Sequence, residues 1–195
     1  MKIIGISGSP RAGGNTDTLL RELLAGAAME GAETEMVHLR DYAIHSCIGC
    51  ERCRKDLTCT RFMDGMHLLY PKIEAADGLI IGSPTYNYNI TTEMKAFIDR
   101  LYPYYRFSAE RPGPYSSFFQ GLGRKVLVFS IAEQKKPEER GFAIEAMQRP
   151  LEALGFVVTD TLPAEGYFKK SAVAGDSAVQ EKARDVGRRF ARGLI

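Results

Sequence analysis

The chain has 195 residues, 45% of them hydrophobic and 26% charged, with a net charge of +2 at pH 7. That length supports one well-buried core, and the composition is that of an ordinary globular protein. The near balance of charge excludes the basic footprint of a nucleic-acid or anionic-membrane binder, and no apolar run approaches the length of a membrane span.

Taken in order, residues 2–7 form a short apolar run that reads as a buried strand. It breaks into a turn rich in Gly, Ser and Pro (8–14), after which Leu19, Leu20, Leu23, Leu24 and Ala27 recur at helical spacing. A helix is expected over 15–29, stopped near Gly31. Residues 33–39 read as a second strand. The segment that follows has no clear period and carries four cysteines between positions 47 and 59. Asp64 is a possible N-cap for a helix to about residue 76, kinked or split at Pro71. The continuous apolar run 78–82 is that of a central parallel strand covered on both faces. It opens into a loop of Ser, Pro, Thr, Tyr and Asn at 83–89. A helix is expected over 92–102, with Met94, Phe97, Ile98 and Leu101 inward. An insertion dense in aromatics occupies 103–123. A strand at 125–130 and a loop at 131–137 follow. A helix is then expected over 138–154, with Phe142, Ala143, Ala146, Leu151 and Leu154 at core spacing and a kink at Pro150. The last elements are a strand at 156–162 and a helix from about residue 177.

Strands alternating with helices imply an α/β fold: a doubly wound, five-stranded parallel sheet with helices on both faces. No repeat or linker divides it, so a single domain spans 1–195, with a Cys-rich insertion at 43–63 and the aromatic insertion at 103–123. In such a sheet, ligands bind at the carboxyl edge. The turn after the first strand lies there, ahead of a helix whose unpaired N–H groups and dipole favour a phosphate. Ser7, Ser9, Asn15, Thr16 and Thr18 can donate hydrogen bonds to that anion, and Arg11 can add a charge-assisted one. The spacing is neither G-x-x-x-x-G-K-[ST] nor G-x-G-x-x-G, so a mononucleotide phosphate is the better reading. The plain alternative is a capped strand-to-helix connection. With strand order 2-1-3-4-5, this turn meets the 83–89 loop at the switch point, where FMN sits in flavodoxin-like folds. Pro84, Tyr86 and Tyr88 offer flat contact to a flavin ring, and Thr85, Asn87 and Asn89 suit its polar edge.

Gly8-Ser9-Pro10-Arg11 with Gly14-Asn15-Thr16, and Gly82-Ser83-Pro84-Thr85-Tyr86 followed by Met94-Lys95-Ala96-Phe97-Ile98-Asp99-Arg100, resemble the phosphate and isoalloxazine loops of the NADPH-dependent FMN reductase family. The resemblance implies a flavodoxin-like fold and FMN held by Ser7, Ser9, Arg11, Asn15, Thr16 and Asp17 at its phosphate. At the ring it implies Pro84, Thr85, Tyr86, Asn87 and Asn89.

The cysteines follow the pattern Cys47-x2-Cys50-x2-Cys53-x5-Cys59. Clustering of this kind in a chain expected to be cytoplasmic, since its first residues enter a strand with no leader pattern, points to metal or redox chemistry rather than disulfides. Three thiolates at steps of three can hold three corners of a cubane cluster, and a fourth nearby completes it. Structural zinc more often uses two separated knuckles and ranks second; free thiols are the remaining alternative. The spacing resembles that of the iron–sulfur flavoproteins, which carry FMN and a [4Fe–4S] cluster in one domain. That resemblance implies an FMN-dependent oxidoreductase whose cluster relays electrons between an external donor, ferredoxin or NAD(P)H, and the flavin. The alternatives are an NAD(P)H-dependent FMN or quinone reductase with vacant cysteines and an electron carrier without small-molecule turnover. No nucleophile–base pair is evident, so no catalytic side chain is expected. His38, His45 and His67 pair with no carboxylate at helical spacing and receive no role. The aromatic insertion reads as the interface of a homodimer or homotetramer, with Tyr104, Tyr105 and Phe107 as a lid.

Overall fold

The computed structural model describes residues 1–194. Its five-stranded sheet is built from the apolar central strands β1 (Lys2–Ser7), β3 (Gly78–Pro84) and β6 (Lys125–Ala132) and the more polar edge strands β2 (Glu33–His38) and β7 (Val157–Glu165). These strands pair in parallel in the order β2-β1-β3-β6-β7. Counted within the sheet that order is 2-1-3-4-5, the flavodoxin-like topology. The crossovers between strands are α1 (Asn15–Met29), α2 (Met66–Ala75), α3 (Thr92–Asp99) and α4 (Ala143–Ala153), and α5 (Ser177–Gly193) closes the chain.

Two cores sandwich the sheet, and the pleat assigns residues to them. Ile4, Ile6, Leu79, Ile81, Val126 and Val128 face α2, α3 and α4. Ile3, Ile80, Leu127 and Phe129 face α1 and α5. Each fully buried aliphatic side chain contributes about 1.5–3 kcal/mol, which explains why the central strands carry almost no polar residue. No helix among the described residues is long and apolar enough to cross a membrane.

Several boundaries differ from expectation for local reasons. The second helix begins at Met66, where the Asp64 carboxylate accepts the Met66 N–H at 3.1 Å, and Pro71 does not split it. The third ends at Asp99, short of Pro103, and Tyr102–Tyr104 form a 3₁₀ turn. The expected helix over 138–154 is interrupted: Pro137–Arg140 form a 3₁₀ turn, and Gly141 adopts φ 65° before α4 starts. A Cβ at Gly141 would lie 2.2 Å from the Tyr88 carbonyl oxygen, so only glycine passes here. Phe142 is consequently 68% exposed instead of in the core.

The aromatic insertion is folded, which its composition did not reveal. β4 (Tyr105–Phe107) and β5 (Tyr115–Ser117) pair antiparallel as a small ribbon. Tyr104 and Phe119 are fully buried, with ring centroids 4.7 Å apart, and Phe119 also packs on Phe156. The Tyr104 hydroxyl donates to Glu74 at 2.9 Å. Tyr104 is therefore a core residue of its own chain and not a lid, while Tyr105 and Phe107 remain half-buried on the ribbon.

Helices α1 and α5 cross at two glycines. A Cβ on Gly26 would lie 2.0 Å from the Arg184 carbonyl oxygen, and one on Gly187 would lie 2.0 Å from that of Leu23. Both obstacles are backbone and cannot rotate away. Replacing Gly187 by Ala gains up to about 1 kcal/mol of helix propensity, but the overpacking costs about 1–3 kcal/mol. Gly187→Ala is expected to lower stability in urea unfolding, and Gly193→Ala, where the nearest atom is the flexible Lys125 Nζ at 3.8 Å, is not.

Candidate functional site

The loops leaving β1, β3, β6 and β7 surround a cleft of about 440 Å³ at the carboxyl edge of the sheet. Of the residues expected to bind FMN, Ser9, Arg11, Asn15, Thr16, Pro84, Thr85, Tyr86 and Asn87 line it. Ser7, Asp17 and Asn89 do not.

Asp17 is buried beneath the first loop and accepts from the Ser7 hydroxyl at 2.7 Å and the Gly13 N–H at 2.8 Å. Arg40 donates to it through Nη1 at 3.1 Å and Nη2 at 2.9 Å. Burial alone would push this carboxyl upward, but the Arg40, Ser7 and Gly13 hydrogen bonds outweigh it and hold Asp17 below its ordinary value. The carboxylate staples the loop from inside. Gly13, at φ 63°, supplies the turn that brings its N–H inward. The next residue, Gly14, is the N-cap of α1, and no side chain caps that helix. The first-turn N–H groups are left to a ligand.

Asn15 is occupied differently. Its Nδ2 donates to the Lys169 carbonyl at 2.9 Å and its Oδ1 accepts the Val173 N–H at 3.1 Å, tying the 167–173 loop to the start of α1. The Thr91 hydroxyl, N-cap of α3, donates to the Gly8 carbonyl at 2.6 Å and accepts the Met94 N–H at 3.3 Å. The loops after β1 and β3 are thereby joined. Beyond Thr85, Tyr86 and Asn89 exchange backbone bonds at 2.8 and 3.0 Å around Asn87 (φ 48°) and Tyr88 (φ 64°), a tight turn that projects Tyr86 outward. Asn89 turns its Oδ1 to the Ile90 N–H. The Thr85 hydroxyl is buried at the cleft with no partner of its own, a polar atom available to a ligand's edge. Sequence reasoning missed Tyr167, Phe168 and Lys170 of the loop after β7, which also line the cleft. The available signal was an aromatic pair just past the end of the fifth strand.

The four cysteines lie elsewhere. All are free thiols, Cys47 and Cys50 exposed, Cys53 and Cys59 buried, and they line one pocket with Phe62, Arg100, Tyr102 and Pro103. No residue lines both this pocket and the cleft. Burial, with the neighbouring Cys59, Cys47 and Cys50, pushes the Cys53 thiol up to about 11. The loop is pinned from two sides. Glu51, at φ 58°, accepts from the Tyr102 hydroxyl at 2.8 Å and pairs with Arg111, which lies 4.2 Å over the Phe107 ring. On the other side Asp64 takes both Arg100 Nη atoms, at 2.7 and 3.0 Å, and the His45 N–H at 2.9 Å. His45 and His38 thus do face carboxylates, Asp64 and Asp17, but across loops instead of along a helix. Among the described residues no group of three or more His, Cys, Asp or Glu converges on a metal-ion position.

Asp64 and Arg100 are 3% and 2% exposed. Burial opposes charge on Asp64, yet the hydrogen bonds from Arg100, His45 and Met66 bring its carboxyl down to about 2, from an ordinary 3.8. A folded-state value below the unfolded one means stabilisation that is full above pH 3.8 and lost as pH falls toward 2. Asp64→Asn, which leaves Arg100 buried and uncompensated, is expected to cost about 3–5 kcal/mol at neutral pH. The difference from the parent protein should shrink between pH 4 and pH 2, about the span of the shift, in urea unfolding followed by circular dichroism.

Residues 1–127 match the family described as NADPH-dependent FMN reductase. An iron–sulfur flavoprotein of Archaeoglobus fulgidus is 34% identical over 195 residues, covering 100% of this chain and 80% of that one. An iron–sulfur flavoprotein of Methanocaldococcus jannaschii is 44% identical over 103 residues, 53% of each chain, so the match spans about half the length of that relative. Among solved structures, a flavone reductase superposes with a TM-score of 0.73 at 20% identity, covering 100% of this chain and 63% of that one. A flavodoxin from an archaeon superposes with a TM-score of 0.64 at 14% identity, covering 100% and 99%. At such identities the structures speak for the fold. With a family match over residues 1–127 and a relative that aligns with all of this chain and 80% of its own length, the chain belongs to the NADPH-dependent FMN reductase family.

Proposed function

We propose that the chain is an FMN-dependent oxidoreductase that also carries a [4Fe–4S] cluster on Cys47, Cys50, Cys53 and Cys59, and takes electrons from an external donor, ferredoxin or NAD(P)H. The observation that carries the flavin reading is the uncapped start of α1 opening into the same cleft as the 84–87 loop. The α1 amides, Ser9, Arg11 and Thr16 would hold the phosphate. Pro84, Thr85, Tyr86 and Asn87 would hold the ring, with the unpartnered Thr85 hydroxyl as a ready hydrogen-bonding group. Ser7, Asp17 and Asn89 act behind them as positioning residues, and Asn15, which lines the cleft, does so from within it, because their polar atoms are committed within the protein. Bound FMN supplies acceptance of a hydride or of single electrons, and a cluster supplies one-electron chemistry.

The cysteine pocket suits a cluster through its donor set: four free thiols and a buried guanidinium among the side chains that line it. The names of the two archaeal relatives support the same reading. A flavin reductase with vacant cysteines is the second reading. The outward ring Tyr115 and half-buried Tyr105 and Phe107 of the ribbon are the surface proposed for a homodimer or homotetramer.

Anaerobically purified protein is expected to show a flavin spectrum on a broad shoulder, with about four iron and four sulfide per chain. Flavin without iron after anaerobic reconstitution would establish the second reading. No uptake of FMN at all would sink both. Arg11→Ala, which removes one charge-assisted hydrogen bond of about 1.5–3 kcal/mol, should weaken FMN binding roughly 10- to 100-fold. Riboflavin, which lacks the phosphate, should bind both proteins alike in flavin-fluorescence titrations.

A further inference from the structure

The guanidinium of Arg100 is among the largest fully buried side chains, and its hydrogen bonds are unevenly filled. Nη1 donates to Asp64 Oδ2 at 2.7 Å and to the His45 carbonyl at 2.8 Å, and Nη2 donates to Asp64 Oδ1 at 3.0 Å. One guanidinium face lies 5.5 Å from the centre of the Phe62 ring. Nε is buried and has no partner. A buried donor without an acceptor is uncommon in a folded protein and calls for an explanation.

The acceptors around it narrow the choice. Arg100 lines the cysteine pocket, whose other walls include the apolar Ile48, Phe62 and Pro103. The two carboxylates on that wall are taken: Glu51 by Tyr102 and Arg111, and Asp99 by Lys95. The sulfurs remain. Arg52 and Arg61 line the same pocket but are exposed to solvent, which weakens any field they set up there.

We infer that Arg100 is a positioning residue that donates its Nε–H to sulfur, a cysteine thiolate or an inorganic sulfide, of a [4Fe–4S] cluster held in this pocket. The inference rests on the proposed cluster. Asp64 cancels most of the formal charge and fixes the plane of the guanidinium, so Arg100 contributes a directed N–H more than a free cation. Hydrogen bonds to cluster sulfurs favour the state that carries one more electron, and raise the reduction potential. Arg100 closes α3, whose start at Thr91 is bound to the phosphate loop, so one short helix connects the two sites.

The test is a redox titration of the anaerobically loaded protein, reading the cluster by electron paramagnetic resonance of its reduced form and the flavin by absorbance. Arg100→Lys keeps a cation for Asp64 and lacks Nε. It is expected to move the cluster potential to more negative values and to leave the flavin potential unchanged, because the flavin cleft shares no lining residue with the pocket. Arg52→Gln should shift neither. A cluster potential unchanged in Arg100→Lys overturns the inference. Should Arg100→Lys fail to hold a cluster, electron–nuclear double resonance on Arg52→Gln/Arg61→Gln protein containing nitrogen-15 arginine decides: a nitrogen-15 coupling to the reduced cluster supports the inference, and its absence overturns it. Parent protein that retains no iron or sulfide overturns the four-cysteine reading, and the inference with it, while leaving the flavin site untouched.

Discussion

A single carboxylate beneath the first loop braces the cleft at the carboxyl edge of the sheet. Asp17 lies in the first turn of α1, faces away from the cleft, and gathers Ser7 of β1, the Gly13 amide and Arg40 onto its two oxygens. Four segments distant in function are thus held by one ionised group. The charge survives burial because Arg40 reaches it from beyond β2. Without that staple the chain between β1 and α1 would be a Gly-rich loop with no reason to keep its amides together. The binding surface is a by-product of satisfying a buried charge.

A second buried charge does comparable work forty-odd residues on. The cysteine loop packs on the core through Cys59 and the partly buried Ile44, Leu57 and Phe62, while Ile48 is exposed. It is held as well by polar contacts to structured elements: Asp64 to Arg100 at the end of α3, and Glu51 to the aromatic ribbon. The two sites are therefore built on the same principle, an ionised side chain inside the protein organising a loop that cannot organise itself. They occupy different faces, and α3 is the element that touches both.

The parts legible in the sequence were those set by periodicity. β1, α1 and α5 begin where the apolar pattern begins, and the parallel, doubly wound sheet follows from alternation of strand and helix, its order being the flavodoxin-like one. Most residues assigned to the cleft line it, because loops at one edge of a parallel sheet converge whatever their sequence. What escaped were contacts between residues far apart in the chain. Nothing near Asp17 announces Arg40, and Arg100 is paired with a carboxylate 36 positions away. Asp17 was placed at the phosphate by the family resemblance; its carboxylate accepts from Ser7, Gly13 and Arg40, and the residue does not line the cleft. Phe142 was misplaced because helical spacing was extended through Gly141, where the backbone turns left-handed. The ribbon at 105–117 escaped because three-residue strands are too short to show alternation.

The Gly at position 14 has a wider meaning. Ser, Asp or Asn would be the stronger choice there for an isolated helix, since each would place an oxygen over the first-turn amides. That oxygen would also compete with any anion arriving from solvent. By leaving the position without a side chain, the fold keeps the first-turn amides of α1 free of a side-chain cap, and under the proposed function a bound phosphate would serve as the helix's cap. A ligand bound there would add to the stability of the folded chain by an amount that grows with the logarithm of its free concentration.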